Sequence, residues 1–229
     1  MKGIKTLPAA SIQHDFCRNL YRPFKLYIMK KIHFSILTVA AIVFLSLQSI
    51  IDPLSIGSSL PGADKKMKDI SGKEVSFNDA MKKNGLLVMF SCNTCPVVKK
   101  YQSRTLETGK FAAANEIGVV LLNSNEATRN DGDSYNDMRE YGKVQGYPFS
   151  YVIDKNSAMA NAFGATRTPE VFLFDKNGKL VYHGAIDDNA NGPNQVTRQH
   201  TKLAIEEMVA GKNVSTAKTR FVGCSIKRL

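Results

Sequence analysis

The sequence predicts an α/β sandwich built on a central mixed β-sheet with helices on both sides. Two continuous apolar runs, Gly85–Phe90 and Ile117–Leu122, are bounded by turn residues and have the length of buried central strands. Helical stretches alternate with them. Near the end, Glu170–Phe174 and Lys179–His183 flank Asp175-Lys-Asn-Gly178, the composition of a hairpin turn. Strands interleaved with helices and closed by a hairpin and a helix give this architecture.

The elements follow in order. A short strand near Met67–Ile70 runs into a turn at Ser71–Lys73, and Ser76 is placed to cap a short helix through Lys83. The first buried strand leads into Cys92-Asn-Thr-Cys95-Pro96, then a helical stretch from Val97 to about Ala114. After the second buried strand, residues 123–149 are polar and carry a helix over Tyr135–Val144. Tyr151–Ile153 reads as a third strand, Ala158–Phe163 as a short helix and Gln195–Val209 as the closing helix.

Composition narrows the function classes. With 229 residues and 43% apolar content, the chain supports one globular domain and is not disordered as a whole. Four cysteines are too few for a small disulfide-stapled scaffold. The net charge of +11 overstates the domain's basicity, because residues 1–51 hold seven Lys and Arg against Asp15 alone. The remainder carries 24 basic and 19 acidic residues, scattered and without interleaved aromatics, so nucleic acid is not an expected partner.

Residues 32–51 contain no Asp, Glu, Lys or Arg and follow Lys30 and Lys31. A basic start before an apolar run is a secretory signal, and twenty uncharged residues also suffice to span a bilayer. Residues 29–51 are therefore read as a signal peptide or an N-terminal anchor, with Met29 as a natural start and 1–28 as an upstream mis-start or short leader. Either reading puts the domain outside the cytoplasm, periplasmic or secreted, where disulfides persist. Residues 52–64, rich in Pro, Gly and Ser, read as a linker, and 65–229 as the domain.

The chemistry centres on Cys92 and Cys95, placed where a buried strand gives way to a helix. Unpaired N–H groups and the positive macrodipole end favour a thiolate there, so Cys92 is the expected nucleophile with a lowered pKa. Cys95, one turn deeper, is placed to close or resolve a disulfide. Pro96 fits the first helical turn, where its missing N–H costs nothing. Half a zinc site, a static disulfide and a pair of buried reduced thiols are the competing readings. The zinc reading lacks a second CxxC or H-x₃-H pair. Thr168-Pro169 precedes the strand Glu170–Phe174, where proline is tolerated and its preceding bond can be cis. A cis bond there would turn the Thr168 backbone toward an incoming extended chain beside the cysteines.

The order of apolar strand, CxxC, helix and Thr-Pro before a hairpin resembles the thioredoxin fold, a three-layer sandwich. More narrowly, Phe90-Ser-Cys-Asn-Thr-Cys-Pro-Val-Val-Lys-Lys100, Thr168-Pro-Glu-Val-Phe-Leu-Phe-Asp175, His183-Gly-Ala-Ile-Asp-Asp-Asn189 and Val222-Gly-Cys-Ser-Ile-Lys227 resemble a peroxiredoxin-like redoxin family. That family belongs to the alkyl hydroperoxide reductase and thiol-specific antioxidant superfamily. The resemblance spans about residues 60–229. It implies Cys92 as attacking thiol, Cys95 as its resolving partner, Pro169 as the cis proline and 123–149 as the redoxin insertion. The family ends with an aromatic after Cys-x-Ile-Lys, where this chain has Arg228.

The expected function is therefore thiol–disulfide exchange on a protein dithiol or disulfide, with no cofactor and no metal. Peroxide reduction with a small thiol donor is the alternative. It ranks second because the Pro and Thr that a peroxiredoxin places seven and three residues before its cysteine are here Gly85 and Met89, and neither Val88 nor Ser91 restores the spacing. Copper binding ranks lower: the cysteine spacing is two rather than three, Thr168-Pro169 stands where a ligand His would, and His183 reads as a surface or packing residue. A non-catalytic binding module is a further reading. Cys224 stays open as a third redox cysteine, a free thiol or a tether, in a C-terminus that could be mobile. Asp187 and Asp188 read as a charged rim or a local turn.

Overall fold

The computed structural model describes residues 52–229. The leader readings on 1–28 and 29–51 lie outside the described residues. Among the described residues no helix is long and apolar enough to cross a membrane.

A five-stranded sheet organises the domain. Its strands are β3 (Gly85–Ser91), β4 (Ile117–Asn123), β5 (Ser150–Ile153), β7 (Glu170–Phe174) and β8 (Leu180–Gly184), in spatial order β5-β4-β3-β7-β8. β3, β4 and β5 run parallel, and the β7–β8 hairpin joins antiparallel to β3, which makes the sheet mixed. A small hairpin, β1 (Met67–Lys68) and β2 (Glu74–Val75), precedes it. A second two-stranded ladder pairs β6 (Arg167–Thr168) with β9 (Cys224–Ser225).

Side-chain alternation fills both faces of the sheet. Leu86, Val88 and Phe90 of β3 enter one cluster, with Phe77, Phe163, Phe172 and Phe174. Leu87 and Met89 enter the other, with Tyr101, Leu121, Tyr151 and Ile205. A strand buried on both faces needs a continuous apolar run rather than an alternating one, which is the pattern of 85–90 and 117–122. The first face is covered by α1 (Phe77–Ala80) and α5 (Ala158–Phe163). The second is covered by α3 (Gln102–Ala114), α4 (Tyr135–Gln145) and α6 (His200–Val209). The result is the three-layer thioredoxin-like sandwich.

Local chemistry sets the helix starts. Ser76 with Asp79, and Ser134 with Asp137, form reciprocal capping boxes on α1 and α4, each contributing about 1 kcal/mol. α1 stops at Ala80 rather than Lys83, because Lys82 pairs with Gly85 across a tight turn into β3. The stretch expected as one helix from Val97 is two: α2 (Pro96–Lys100) and α3, broken at Tyr101 with φ −97° and ψ 0°. The closing helix starts at His200 instead of Gln195. The Asp188 carboxylate holds Thr197 N at 3.0 Å, which keeps the preceding segment out of the helix. Residues 52–64, expected as a linker, lie against the domain: Leu54 N donates to Phe163 O at 3.0 Å, Gly57 N to Leu180 O at 2.8 Å and Leu60 N to Gly178 O at 2.9 Å.

Gly118 in β4 sits where α1 ends, and a Cβ there would run into the backbone carbonyl of Ala80. Gly118→Ala is expected to destabilise the domain by about 1–3 kcal/mol, read as a lower urea midpoint with an unchanged m-value.

Candidate functional site

The site lies at the carboxyl end of β3, where the chain leaves the sheet at Ser91 and re-enters helix at Pro96. Cys95 is the N-cap of α2 and Pro96 occupies its first turn. Cys92 stands three residues before that cap and is fully buried, with Cys95 at 4% exposure. Together with Val98 they form a small buried cluster against which Cys224 packs.

The loop between the cysteines is held by a carboxylate from the polar insertion. Asp133 is fully buried. Its Oδ1 accepts from Asn93 N at 2.8 Å and Asn123 Nδ2 at 2.7 Å. Its Oδ2 accepts from Thr94 Oγ1 at 2.9 Å, Thr128 Oγ1 at 2.9 Å and Asn125 Nδ2 at 3.2 Å. Five donors compensate a desolvated carboxylate that would otherwise be costly to bury. Tyr151 completes the cradle by donating to Asn93 Oδ1 at 2.9 Å. Burial pushes the Tyr151 pKa well above its ordinary value, and the phenol therefore stays a donor.

Thr168 faces both cysteines. The Thr168–Pro169 peptide bond is cis. Thr168 Oγ1 lies 3.4 Å from Cys92 Sγ, and its carbonyl oxygen 3.4 Å from Cys95 Sγ. The loop before it is fixed by Glu170, fully buried, whose Oε2 accepts from Thr166 N at 2.8 Å and Arg167 N at 2.9 Å. Its Oε1 meets His183 Nε2 at 2.8 Å. His183 is thus a buried partner of Glu170, stacked on Phe172, and is engaged in the structure rather than in ligand binding. Asp187 is likewise structural: it is buried, and both its oxygens accept from Arg104 Nη1, at 2.8 and 2.7 Å.

Cys224, left open by the sequence, is bonded to Cys95, with their Cα atoms 6.0 Å apart, and among the described residues Cys92 is the free thiol. One sequence expectation is corrected here. The Cys92 pKa is raised, not lowered. Burial is the largest cause, opposed by Thr168 and by backbone N–H groups of Cys95 and Thr94, and reinforced by the Asp133 charge. The helix-end effect expected at Cys92 is present in those N–H groups but is outweighed by desolvation.

The edge of Thr168, expected to face an incoming chain, is filled by the protein's own C-terminus. In the β6–β9 ladder Thr168 pairs with Cys224 and Arg167 with Ser225. A Cβ at Gly223 would run into Thr168 O, so the close approach requires glycine. The tail is anchored rather than mobile. Ile226 is buried and its N–H donates to Thr166 O at 3.0 Å, and Lys227 N donates to Asn125 Oδ1 at 2.9 Å. Arg228, in place of the family aromatic, binds Asn161 Oδ1 at 2.8 Å and the carbonyl of Ala165. Sequence reading missed Asp133; the only hint was the Asn, Asp and Thr density of 123–133.

A mixed sheet of this order, a strand-to-helix CxxC and a facing Thr-cis-Pro define a thioredoxin-like protein. The Redoxin family description matches residues 56–199, and the chain belongs to that family. Cys224 lies beyond the matched span. Among curated proteins, the chain is similar to the thiol-disulfide oxidoreductase ResA of Geobacillus thermodenitrificans, 26% identical over 129 residues, which covers 56% of this chain and 67% of that one. Among solved structures it is similar to an uncharacterized conserved protein from Geobacillus kaustophilus, with TM-score 0.71, 29% identity and 76% and 93% of the two chains covered. It is equally similar to the hypothetical protein SMc02350 from Sinorhizobium meliloti 1021, with TM-score 0.71, 28% identity and coverage of 78% and 97%.

A raised pKa leaves little Cys92 thiolate at neutral pH. In the disulfide-bonded protein, iodoacetamide is expected to label Cys92 more slowly than a free cysteine, with the rate climbing at a higher pH than it does for the free cysteine. The fold holds this proton more tightly than the unfolded chain does. Its contribution to stability is therefore present below the unfolded thiol value and lost as pH rises through the folded one.

Asp133→Asn keeps the shape and removes the charge, and the Thr94 and Thr128 hydroxyls can turn to accept from the new amide. The Cys92 labelling profile is expected to move to lower pH. Asp133→Ala, which leaves buried donors unmet, is expected to cost more than about 2 kcal/mol in urea unfolding.

Proposed function

We propose that this redoxin is a thiol–disulfide oxidoreductase acting on protein dithiols or disulfides outside the cytoplasm, delivered there by residues 29–51. The observation that carries the reading is the gathering of three sulfurs at one strand-to-helix junction, two of them already bonded, against Thr168. The similarity to ResA, described as a thiol-disulfide oxidoreductase, supports it.

In this reading Cys92 is the nucleophile and Cys95 the resolving sulfur. Starting from the reduced protein, the Cys92 thiolate attacks the disulfide sulfur that the exchange brings to it within the site, and the displaced sulfur leaves as thiolate. The pair ends as a Cys92–Cys95 disulfide, having given two electrons to the partner; the reverse sequence oxidises a dithiol. Thr168, followed by Pro169, faces both sulfurs and holds Cys92 by its hydroxyl contact. Desolvation serves this chemistry by keeping the thiol protonated and unreactive toward adventitious electrophiles until a disulfide is brought against it.

Peroxide reduction draws no support from the geometry. Met89, three residues before Cys92, is buried in the core, and Gly85, seven before, starts β3 packed on the carbonyl of Phe174.

The test is insulin reduction with dithiothreitol as donor. Wild type is expected to turn over, and Cys95→Ser to fall by at least about a hundredfold. Undiminished activity in Cys95→Ser would remove the reading, as would peroxide consumption exceeding insulin reduction.

A further inference from the structure

We propose that Cys224 is a shuttle cysteine: it meets the external partner, and it passes the disulfide inward to Cys95 and then Cys92. This rests on the oxidoreductase reading and specifies where the partner docks. Cys92 and Cys95 are 0% and 4% exposed, whereas Cys224 is half-buried on a strap that crosses above them. The strap spans residues 220–225. It is pinned at one end by Thr219, whose N–H donates to His183 O at 3.1 Å and whose hydroxyl accepts from Ala185 N at 3.0 Å. It is pinned at the other by Ile226 and Lys227. The exposed Val222 and Ser225 flank the segment on its solvent side.

The strap also decides what cannot happen. The backbone edge of Arg167–Thr168 is already paired with Ser225 and Cys224, so an external chain has no ladder to join there. Both CxxC sulfurs lie beneath it. The sulfur left within reach of a partner is that of Cys224, held where Cys95 can bond to it.

The steps balance. In the reduced protein, the Cys224 thiolate attacks a partner disulfide, forming a mixed disulfide and releasing one partner thiolate. Cys95 thiolate then attacks Cys224 Sγ, the second partner thiolate leaves, and Cys95–Cys224 forms as in the structure. Cys92 thiolate next attacks Cys95 Sγ, giving Cys92–Cys95, and the proton lost by Cys92 ends on the freed Cys224. The first two steps move two electrons to the partner, and the third is an isomerisation within the chain. Run backwards, the same steps oxidise a dithiol.

Cys95→Ser removes the sulfur shared by both internal disulfides, so a mixed disulfide stalls on whichever cysteine meets the substrate. Reduced Cys95→Ser is incubated with insulin, quenched with N-ethylmaleimide and peptide-mapped. Insulin sulfur on Cys224, at least about tenfold over Cys92, is the expected result. Insulin on Cys92 instead, or on neither while wild type turns over, overturns the proposal and leaves the oxidoreductase reading standing. An inactive wild type removes that reading, a failure separate from the trapping result. Should Cys95→Ser not fold, wild-type protein quenched at successive times gives the same answer. Cys95–Cys224 is expected to appear before Cys92–Cys95, and the reverse order overturns the proposal.

Discussion

The Asp133 carboxylate is the constraint on which the site depends. Five donors converge on it, two of them from Asn93 and Thr94 between the cysteines and three from Asn123, Asn125 and Thr128. A buried charge satisfied this fully fixes the CxxC loop without contributing a reactive atom, and it keeps a negative field on Cys92. The same group therefore orders the loop and restrains the nucleophile. The insertion thus both packs α4 on the sheet and supplies the carboxylate at the cysteines.

On the opposite side, Glu170 does for the Thr168 loop what Asp133 does for the CxxC loop. Its two oxygens take the N–H groups of Thr166 and Arg167 and the His183 ring. The sulfurs sit between two loops, each pinned by a desolvated carboxylate. Cys92, Cys95 and Cys224 share one cluster there.

What was legible in the sequence was local. Apolar runs at 85–90 and 117–122 announce strands buried on both faces, because no other short element tolerates such a run. The hairpin turn around Asp175 and the cap at Ser76 are likewise short-range chemistry. The CxxC and the Thr-Pro were readable as a pair because the family order places them together. What escaped is non-local. Asp133 reaches Asn93 across 40 residues and Cys224 reaches Cys95 across 129, and no periodicity encodes either contact. The direction of the Cys92 pKa shift escapes for a related reason: the helix end is visible in the sequence, but the burial that outweighs it is not.

The two anchors of the strap have a kinetic consequence. Because residues 219 and 226 stay fastened to the body of the domain, a severed Cys224 remains tethered within a short span of Cys95. When a small thiol opens the bond and is left as a mixed disulfide on Cys224, the freed Cys95 thiolate attacks Cys224 Sγ as a first-order event at a high effective concentration, expels the small thiol and reforms the bond, indifferent to dilution. Small thiols in the surrounding medium compete with this closure only when their own concentration approaches that local value.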